Sequence, residues 1–377
     1  MKHTRSMWRC GWIAIAVLVG PAGGVSGAHA AQGQSLNLSA GLSTWYDSNL
    51  LQYSDGQLTQ FDSGLFTNRF SIDARDDATL NPSIALTWEL DQGQGRRHSL
   101  RLKGDGDFHD KNATADFRAA GLTWRESFAG ERRFMLRGYY LPAYYLRQLH
   151  VTGTGFTPGV YERAQFDLGI GEAAWSQALK RGLVGGISYQ FEHRLYTPHF
   201  PERTSSTQQG ELSLEFNRLP RHGAIELLGA YRSSLAEGRT IPAGGFLSTS
   251  DVSYHGWWAG LNGRTDFSRR KGLRFGGDLA YRLEGRSYDA ERPQDTSHFG
   301  RHDLKNTIEV GLRAQLLPHW LLRGFDRFEN NQANLNVASA SDPASYRQNQ
   351  VGLELSWSGD LWAQARSGAK IEGEGSN

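Results

Sequence analysis

Residues 273–286 read LRFGGDLAYRLEGR, and their side chains alternate in character with a period of two. One set of alternate positions holds Leu273, Phe275, Leu279, Tyr281 and Leu283. The other set holds Arg274, Asp278, Arg282, Glu284 and Arg286. Because successive side chains of a β-strand point to opposite faces, this stretch predicts a strand with one apolar face and one charged face.

The same alternation recurs from residue 66 to the end of the last strand, and it divides the chain into long segments. Clear examples are Ile84/Leu86/Trp88/Leu90, Ile187/Tyr189/Phe191 and Val351/Leu353/Leu355/Trp357, each interleaved with polar residues. A tilted membrane strand needs about 9–11 residues, whereas strands of soluble proteins most often have about 5–6. The segment lengths therefore favour a transmembrane barrel with apolar residues facing lipid over a soluble sandwich with apolar residues facing a core.

The connections between the predicted strands provide an independent criterion. From residue 147 onward, long spacers strictly alternate with short ones. The long spacers are 147–160, 197–206, 235–250, 287–302 and 329–345, and the short ones are 180–182, 218–223, 268–272 and 317–319. Membrane barrels alternate long outer loops with tight periplasmic turns, so we expect the long set to be extracellular.

The sequence thus predicts an all-β protein, an antiparallel transmembrane β-barrel of about fourteen strands. The predicted strands are 66–76, 82–91, 98–108, 115–127, 132–146, 160–176, 183–196, 207–217, 222–234, 251–266, 272–286, 303–317, 319–328 and 346–358. A further candidate at 36–46 would break the even number, so sixteen strands are the alternative. On this division residues 31–65 form an N-terminal periplasmic or plug-like segment, 66–358 the barrel and 359–377 a periplasmic tail.

The N-terminus predicts export. Lys2, Arg5 and Arg9 precede the apolar run 11–20, and a small-residue stretch ends in Ala-His-Ala at Ala30. This order is typical of a cleavable signal peptide over residues 1–30. The apolar run has about half of the roughly 20 residues that a spanning helix requires.

Cleavage after Ala30 changes the composition of the mature chain. Cys10, the single cysteine, leaves with the signal, so disulfides, thiolate chemistry and cysteine-based zinc clusters are excluded. Loss of three basic residues changes the formal net charge from +2 to −1. A basic balance that would point to a nucleic-acid partner is therefore absent.

The segment Gln350-Val-Gly352-Leu-Glu-Leu355-Ser-Trp357 has a polar residue, a glycine, a hydrophobic residue and an aromatic residue at characteristic spacing. In this feature and in its overall pattern, the chain resembles the Gram-negative outer-membrane β-barrel proteins, although no subfamily is indicated. The resemblance implies a location in the cell outer membrane, with contacts to its lipid and lipopolysaccharide. It also implies that these four residues are the last-strand signal for the barrel-assembly machinery.

Candidate catalytic and metal-binding groups are few. A lipid hydrolase would need a serine near a histidine, and only the pairs Ser188/His193 and Ser297/His298 approach this. Asp76-Asp77 favours a turn, and His298, His302 and Asp303 could bring metal ligands to one loop. None of these groups belongs to a recognisable motif, so we expect no enzymatic activity, no cofactor and no metal site.

The leading functional prediction is a porin-like channel for the passive passage of small polar or anionic solutes. Fixed charge in a lumen tunes selectivity, and the basic residues assigned to the lumen face are Arg101, Lys103, Arg137, Arg163, Arg194, Arg274, Arg282 and Arg313. Acidic residues share that face, so mutual neutralisation across strands is the competing interpretation. The alternatives are a non-transporting barrel for export, surface assembly or adhesion and, third, a barrel hydrolase.

Overall fold

The computed structural model of the chain describes residues 33–64, 69–150, 160–220, 223–240, 251–270, 273–292, 295, 297–334 and 344–364. The predicted signal peptide and the segment 365–377 lie outside these residues. No helix within them is both long enough and apolar enough to span a membrane.

Fourteen antiparallel strands form one closed barrel in which each strand pairs with its neighbours in the sequence, and β1 closes the ring on β14. The strands are β1 (Gly33–Asp47), β2 (Asp77–Gly93), β3 (Arg96–His109), β4 (Phe117–Phe128), β5 (Arg132–His150), β6 (Tyr161–Lys180), β7 (Leu183–Tyr196), β8 (Ser205–Leu219), β9 (Gly223–Ala236), β10 (Tyr254–Arg270), β11 (Leu273–Tyr288), β12 (His302–Leu317), β13 (Trp320–Asn334) and β14 (Tyr346–Gln364). In the described parts of the connections lie the α-helix α1 (Asp55–Asp62) and the 3-10 helices Ala113–Ala115, Pro201–Arg203 and Glu237–Thr240. The predicted fold class and strand number are confirmed.

Short and long connections alternate around the whole barrel. Six connections have two or three residues, and the other seven have between seven and 29. All short connections lie at one end, here called the turn end, together with the start of β1 and the end of β14. All long connections lie at the other end, here called the loop end.

The two faces of the wall differ sharply in chemistry. On the outer face large apolar side chains are exposed, with 66% of Leu312 and 64% of Leu212 accessible. Apolar patches on this scale are rare on soluble proteins and form the lipid-facing band of membrane barrels. The inner face carries most of the charged side chains of the strands, because their positions alternate with the apolar ones.

The first strand differs from the sequence prediction. Residues 33–47, which we assigned to a periplasmic or plug-like segment, form β1, and the predicted strand 66–76 is not a strand in its described part, 69–76. Leu38, Ala40 and Leu42 face outward as a membrane strand requires. The alternation of Phe70 and Ile72 has another cause, because both side chains pack into a small hydrophobic cluster at the loop end. The number of strands is right because the two errors cancel.

The last strand is longer than predicted. β14 continues to Gln364, so residues 359–364 belong to the wall and pair with β1, and the predicted periplasmic tail can begin only at residue 365. Trp357 therefore lies seven residues before the end of the strand. Alternation along β14 places Leu355 and Trp357 outward and Gln350 and Gly352 inward. A Cβ atom at Gly352 would come within 2.7 Å of the Phe325 ring, which explains the glycine by packing.

Candidate functional site

The described part of the connection between β1 and β2, residues 48–64 and 69–76, folds over the loop end of the barrel. It includes α1, whose N-terminus is closed by a capping box between Ser54 and Gln57. The described members of its hydrophobic cluster are Leu51, Tyr53, Phe70 and Ile72 of this connection, Ala115 of the connection between β3 and β4, and Tyr145 of β5. This core fixes the described part of the connection as a structured element, here called the strap (residues 48–64 and 69–76).

The strap is bonded to opposite sides of the barrel. On one side Gln52 Nε2 donates to Glu329 Oε1 of β13 at 3.2 Å and to Gln348 Oε1 of β14 at 3.3 Å. On the other side Arg147 Nη2 of β5 donates to the Leu51 carbonyl at 2.9 Å. Since β13 and β5 are six steps apart in a ring of fourteen strands, the strap crosses the opening.

The return of the strap toward β2 is also anchored. The hydroxyl groups of Ser71 and Tyr145 lie 2.6 Å apart. Asn112 Oδ1 accepts a hydrogen bond from the Asp73 backbone amide at 2.8 Å, and Asn112 Nδ2 donates to Asp77 Oδ2 at 2.7 Å. Buried polar groups are thus satisfied along this segment, which stabilises one position of the strap.

Below the strap, a cluster of basic side chains surrounds one buried carboxylate on the inner wall. Glu284 of β11 is only 3% exposed. It accepts from Arg286 Nε at 2.6 Å and Arg282 Nη2 at 3.0 Å, and Arg232 Nη1 of β9 lies 3.5 Å away. We call this cluster, with Lys305, the basic pocket. It opens onto a cavity of about 520 Å³.

The basic pocket has an excess of positive charge. Its cavity is lined by five cations, Arg232, Arg282, Arg286, Lys305 and Arg327, and by three carboxylates, Glu284, Glu309 and Glu329. Their formal sum is +2. Because low-dielectric walls strengthen fixed charges, such a site attracts anions.

Aromatic rings hold several of these guanidinium groups in place. Arg282 lies 4.2 Å from the centre of the Trp258 ring, and Arg286 lies 5.2 Å from that of Tyr254. Closer to the loop end, Arg301 lies 4.6 Å from the centre of the Tyr288 ring. Cation–π contacts of this kind fix the orientation of the guanidinium planes along one side of the lumen.

Toward the turn end, the charged side chains of the same wall are paired with one another. Arg323 of β13 donates to Asp278 Oδ2, to Glu309 Oε1 and, at 3.4 Å, to Glu354 Oε2. Arg313 also reaches Asp278, at 3.3 Å. Here mutual neutralisation accounts for the charges.

The predicted lumen residues fall into three groups. Five form ion pairs on the inner wall: Lys103 with Asp105, Arg137 with Glu172, Arg194 with Glu192, Arg282 with Glu284 and Arg313 with Asp278. Arg101 and Arg274 also take inward positions, and neither forms an ion pair with any described residue. Neutralisation therefore explains most, but not all, of the predicted set.

The inward assignment of Arg163 is wrong. Alternation along β6 places Arg163 on the face opposite to Glu172, whose ion pair with Arg137 lies inside the barrel. Arg163 instead stacks 5.1 Å from the Tyr145 ring centre and donates to the Thr114 carbonyl at 3.2 Å. The error arises because the inner face of β6 is apolar near the loop end, where the Phe166 ring packs 4.9 Å from that of Tyr196.

The sequence prediction also missed several inward basic residues. These are Arg125, Arg133, Arg232, Arg264, Arg286, Lys305, Arg323 and Arg327. Arg286 does lie on the charged face predicted for residues 273–286, but it was not assigned to the solute path. The convergence of Arg232 and Arg286 on one carboxylate could not be found from alternation, because it depends on which strands are neighbours.

The groups considered for catalysis and metal binding do not come together. Ser188 and His193 occupy opposite faces of β7, and His193 instead contacts Ser206 at 3.1 Å. His298 contacts Asp295 at 2.9 Å, whereas His302 contacts Ser287 at 2.9 Å. Among the described residues, no group of three or more His, Cys, Asp or Glu side chains could hold a metal ion.

Comparisons with known proteins give likenesses of fold only. No protein-family model matches the chain, and no curated protein matches its sequence. The bacterial polysaccharide outer membrane secretin is similar with a TM-score of 0.43 and 10% identity, over 84% of this chain and 97% of that one. The outer membrane channel DcaP of Acinetobacter baumannii is similar with a TM-score of 0.43 and 12% identity, over 90% of this chain and 100% of that one. The anion-selective porin from Comamonas acidovorans is similar with a TM-score of 0.38 and 11% identity, over 87% of this chain and 100% of that one.

The class of the protein follows from the barrel itself. Its strands are long enough to cross a membrane, its outer face is apolar, its inner face is charged, and its connections alternate in length. The chain is a fourteen-stranded antiparallel β-barrel whose wall has the features of a membrane-spanning barrel.

Proposed function

We propose that the protein is a passive channel of the outer membrane that favours small anionic solutes. The observation that carries this proposal is the basic pocket, in which one buried carboxylate, Glu284, is shared by three arginines. The strap narrows the loop end, so a solute entering there passes along the wall that holds Arg301, Arg286 and Arg282. Fixed positive charge at a narrow passage lowers the free energy of anions there and raises that of cations.

The proposal includes an orientation. The loop end faces the outside and the turn end faces the periplasm, as in membrane barrels with one set of long loops. Export through the predicted signal peptide and folding by the barrel-assembly machinery belong to the same proposal. The outer surface then contacts outer-membrane lipid and lipopolysaccharide.

The test is a reversal-potential measurement in planar bilayers under a gradient of potassium chloride. The wild-type protein should prefer chloride, and Arg232→Gln combined with Arg286→Gln should reduce this preference. Arg118→Gln is the matched control, because Arg118 lies on the outer face of β4 over the Phe108 ring. A cation preference of the wild type, or equal selectivity of all three proteins, would refute the anion proposal. A silent bilayer with correctly folded protein would favour the non-transporting alternative.

A further inference from the structure

A second group of arginines lies on the inner wall near the turn end, away from the basic pocket. Arg101 of β3, Arg125 of β4 and Arg133 of β5 occupy successive diagonal positions, since Arg125 is opposite Ser99 and Arg133 is opposite Ser127. None of the three forms an ion pair with a described residue. In this they differ from the arginines around Glu284 and Asp278, each of which reaches a carboxylate.

Arg101 and Arg125 border a cavity of about 370 Å³, here called the turn-end pocket. Hydroxyl groups of Ser39, Thr87, Ser99 and Thr123, together with the Asn37 amide, line its wall. The Nε atom of Arg101 is buried and has no hydrogen-bond partner among the described residues. A buried donor without a partner is costly, so the pocket is built to be completed by an acceptor.

The chemistry of the lining specifies more than a negative charge. Two guanidinium groups suit a carboxylate, which accepts their N–H groups in a planar, bidentate fashion. Serine, threonine and asparagine side chains both donate and accept, as the hydroxyl groups of a ligand require. Glu89, Asp360, Ser358 and His319 also line the pocket, so the formal charges of its two arginines and two carboxylates sum to zero. The two carboxylates accept hydrogen bonds from hydroxyl groups and repel a second negative charge. A volume of about 370 Å³ is within the range of small-molecule sites.

We propose that the turn-end pocket binds a sugar acid, a solute with one carboxylate and several hydroxyl groups. Arg101 and Arg125 hold the carboxylate, and the hydroxyl groups of the ligand bind the Ser, Thr and Asn side chains. This inference rests on the proposed channel function, because the ligand must reach the lumen. The inference assigns the substrate class of the channel. A solute entering at the loop end would reach the basic pocket first and the turn-end pocket second.

The experiment measures equilibrium binding by titration calorimetry on detergent-solubilised, folded barrel, with D-gluconate as the probe. Acetate provides the carboxylate alone, and D-sorbitol provides the hydroxyl groups alone. We expect gluconate to bind and both partial probes to bind at least about tenfold more weakly, because each lacks part of the charge-assisted and neutral hydrogen bonds. Acetate or sorbitol binding as tightly as gluconate would overturn the assignment to sugar acids.

Variants locate the site. Arg101→Gln combined with Arg125→Gln should weaken gluconate binding about tenfold or more. Arg118→Gln on the outer face should leave this binding unchanged. Equal binding by the wild type and the Arg101/Arg125 double variant would refute the proposal. Arg101→Lys keeps the charge and is the conservative variant. Heat-modifiable migration of every variant on a gel shows whether a loss of binding is caused by misfolding.

The binding and conductance measurements test the pocket assignment and the channel proposal separately. If the reversal potential shows no anion preference but gluconate binds at Arg101 and Arg125, then the channel proposal is wrong and the pocket assignment stands. If the channel is anion-selective but gluconate does not bind, then the pocket assignment is wrong and the channel proposal stands.

Discussion

The guanidinium group of Arg147 lies 5.2 Å from the centre of the Tyr53 ring, which joins β5 to the strap. Burial raises the pKa of the Tyr53 hydroxyl to about 12, although the nearby Arg147 charge lowers it, so the ring is neutral at physiological pH. The attraction is therefore a cation–π contact, worth about 0.5–2 kcal/mol. Together with the bonds from Gln52 to the opposite wall, it keeps the strap across the opening.

Loosening the strap should widen the loop end. Replacing Arg147 by Met and Gln52 by Ala removes one anchor on each side, so we expect larger and noisier single-channel conductance. Replacing residues 50–73 by a short Gly/Ser linker should raise conductance further, about twofold or more, since the pore radius then depends on the wall alone. Gln94→Ala, in a turn at the opposite end, is the control. Unchanged conductance on removal of the strap would contradict its role as a constriction.

Neutralising Glu284 should increase the preference for anions. Glu284→Gln keeps the size of the side chain and removes one of the three carboxylates of the basic pocket, so the formal charge there rises from +2 to +3. It also leaves three arginines without their shared counter-ion, and we expect a lower melting temperature. Glu215→Gln, which affects an exposed ion pair with Arg264, is the control for the melting temperature. A shift of Glu284→Gln toward cations would contradict the electrostatic account.

Single cysteines test the orientation, because the mature chain is expected to have none. Ala113→Cys and Glu291→Cys lie exposed at the loop end, and Ala129→Cys and Arg181→Cys lie exposed at the turn end. A membrane-impermeant maleimide added to intact cells should label the first pair and not the second. The reverse pattern would invert the barrel in the membrane.

The connection between β11 and β12 should open as the pH falls. His298 is buried there, and burial lowers its pKa below the ordinary value, although its hydrogen bond to Asp295 acts in the opposite direction. A histidine whose pKa is lower in the folded state stabilises that state above about pH 6.5, and this stability is lost as the pH falls through the folded pKa. Proteolysis at Arg301, measured relative to an unfolded substrate at the same pH, should thus be faster at pH 5 than at pH 7.5. His298→Asn, which does not titrate, should abolish the difference, and its persistence would assign the effect to other groups.

The assembly signal predicted at the last strand can be tested with two tryptophans of β14. Trp357 faces outward opposite Trp320, and Trp362 also faces outward, nearer the turn end. Trp357→Asp should strongly reduce the amount of heat-modifiable barrel, whereas Trp362→Asp should reduce it less if Gln350, Gly352, Leu355 and Trp357 form the recognised pattern. Equal losses would remove special significance from Trp357.

Alternation of side chains predicted most of the wall. The period of two predicted that Leu279 and Tyr281 face outward and that Asp278 and Arg282 face the lumen. Successive side chains of a β-strand point to opposite faces, so no other placement is possible. The long strands and the alternating connections predicted a membrane barrel for the same local reason. The local pattern also gave a wrong prediction at Phe70 and Ile72, which alternate with polar residues but do not lie in a strand. Both are apolar because they are buried in the hydrophobic cluster of the strap.

The functional geometry depends on contacts between distant parts of the chain. Closure of β1 on β14 brings Asp47 beside Gln350, and the strap joins Gln52 to Glu329. The charge of the lumen was likewise visible in sequence only as a mixed set of acids and bases. Strand neighbours and register decided the partner of each arginine. Some arginines share Glu284, others are neutralised by Asp278, and Arg101 and Arg125 form no ion pair with a described residue. The sequence alone determined the two-faced wall, because alternation is local, whereas only the closed barrel determined where positive charge is left over, because ion pairing is a property of side chains brought together across strands.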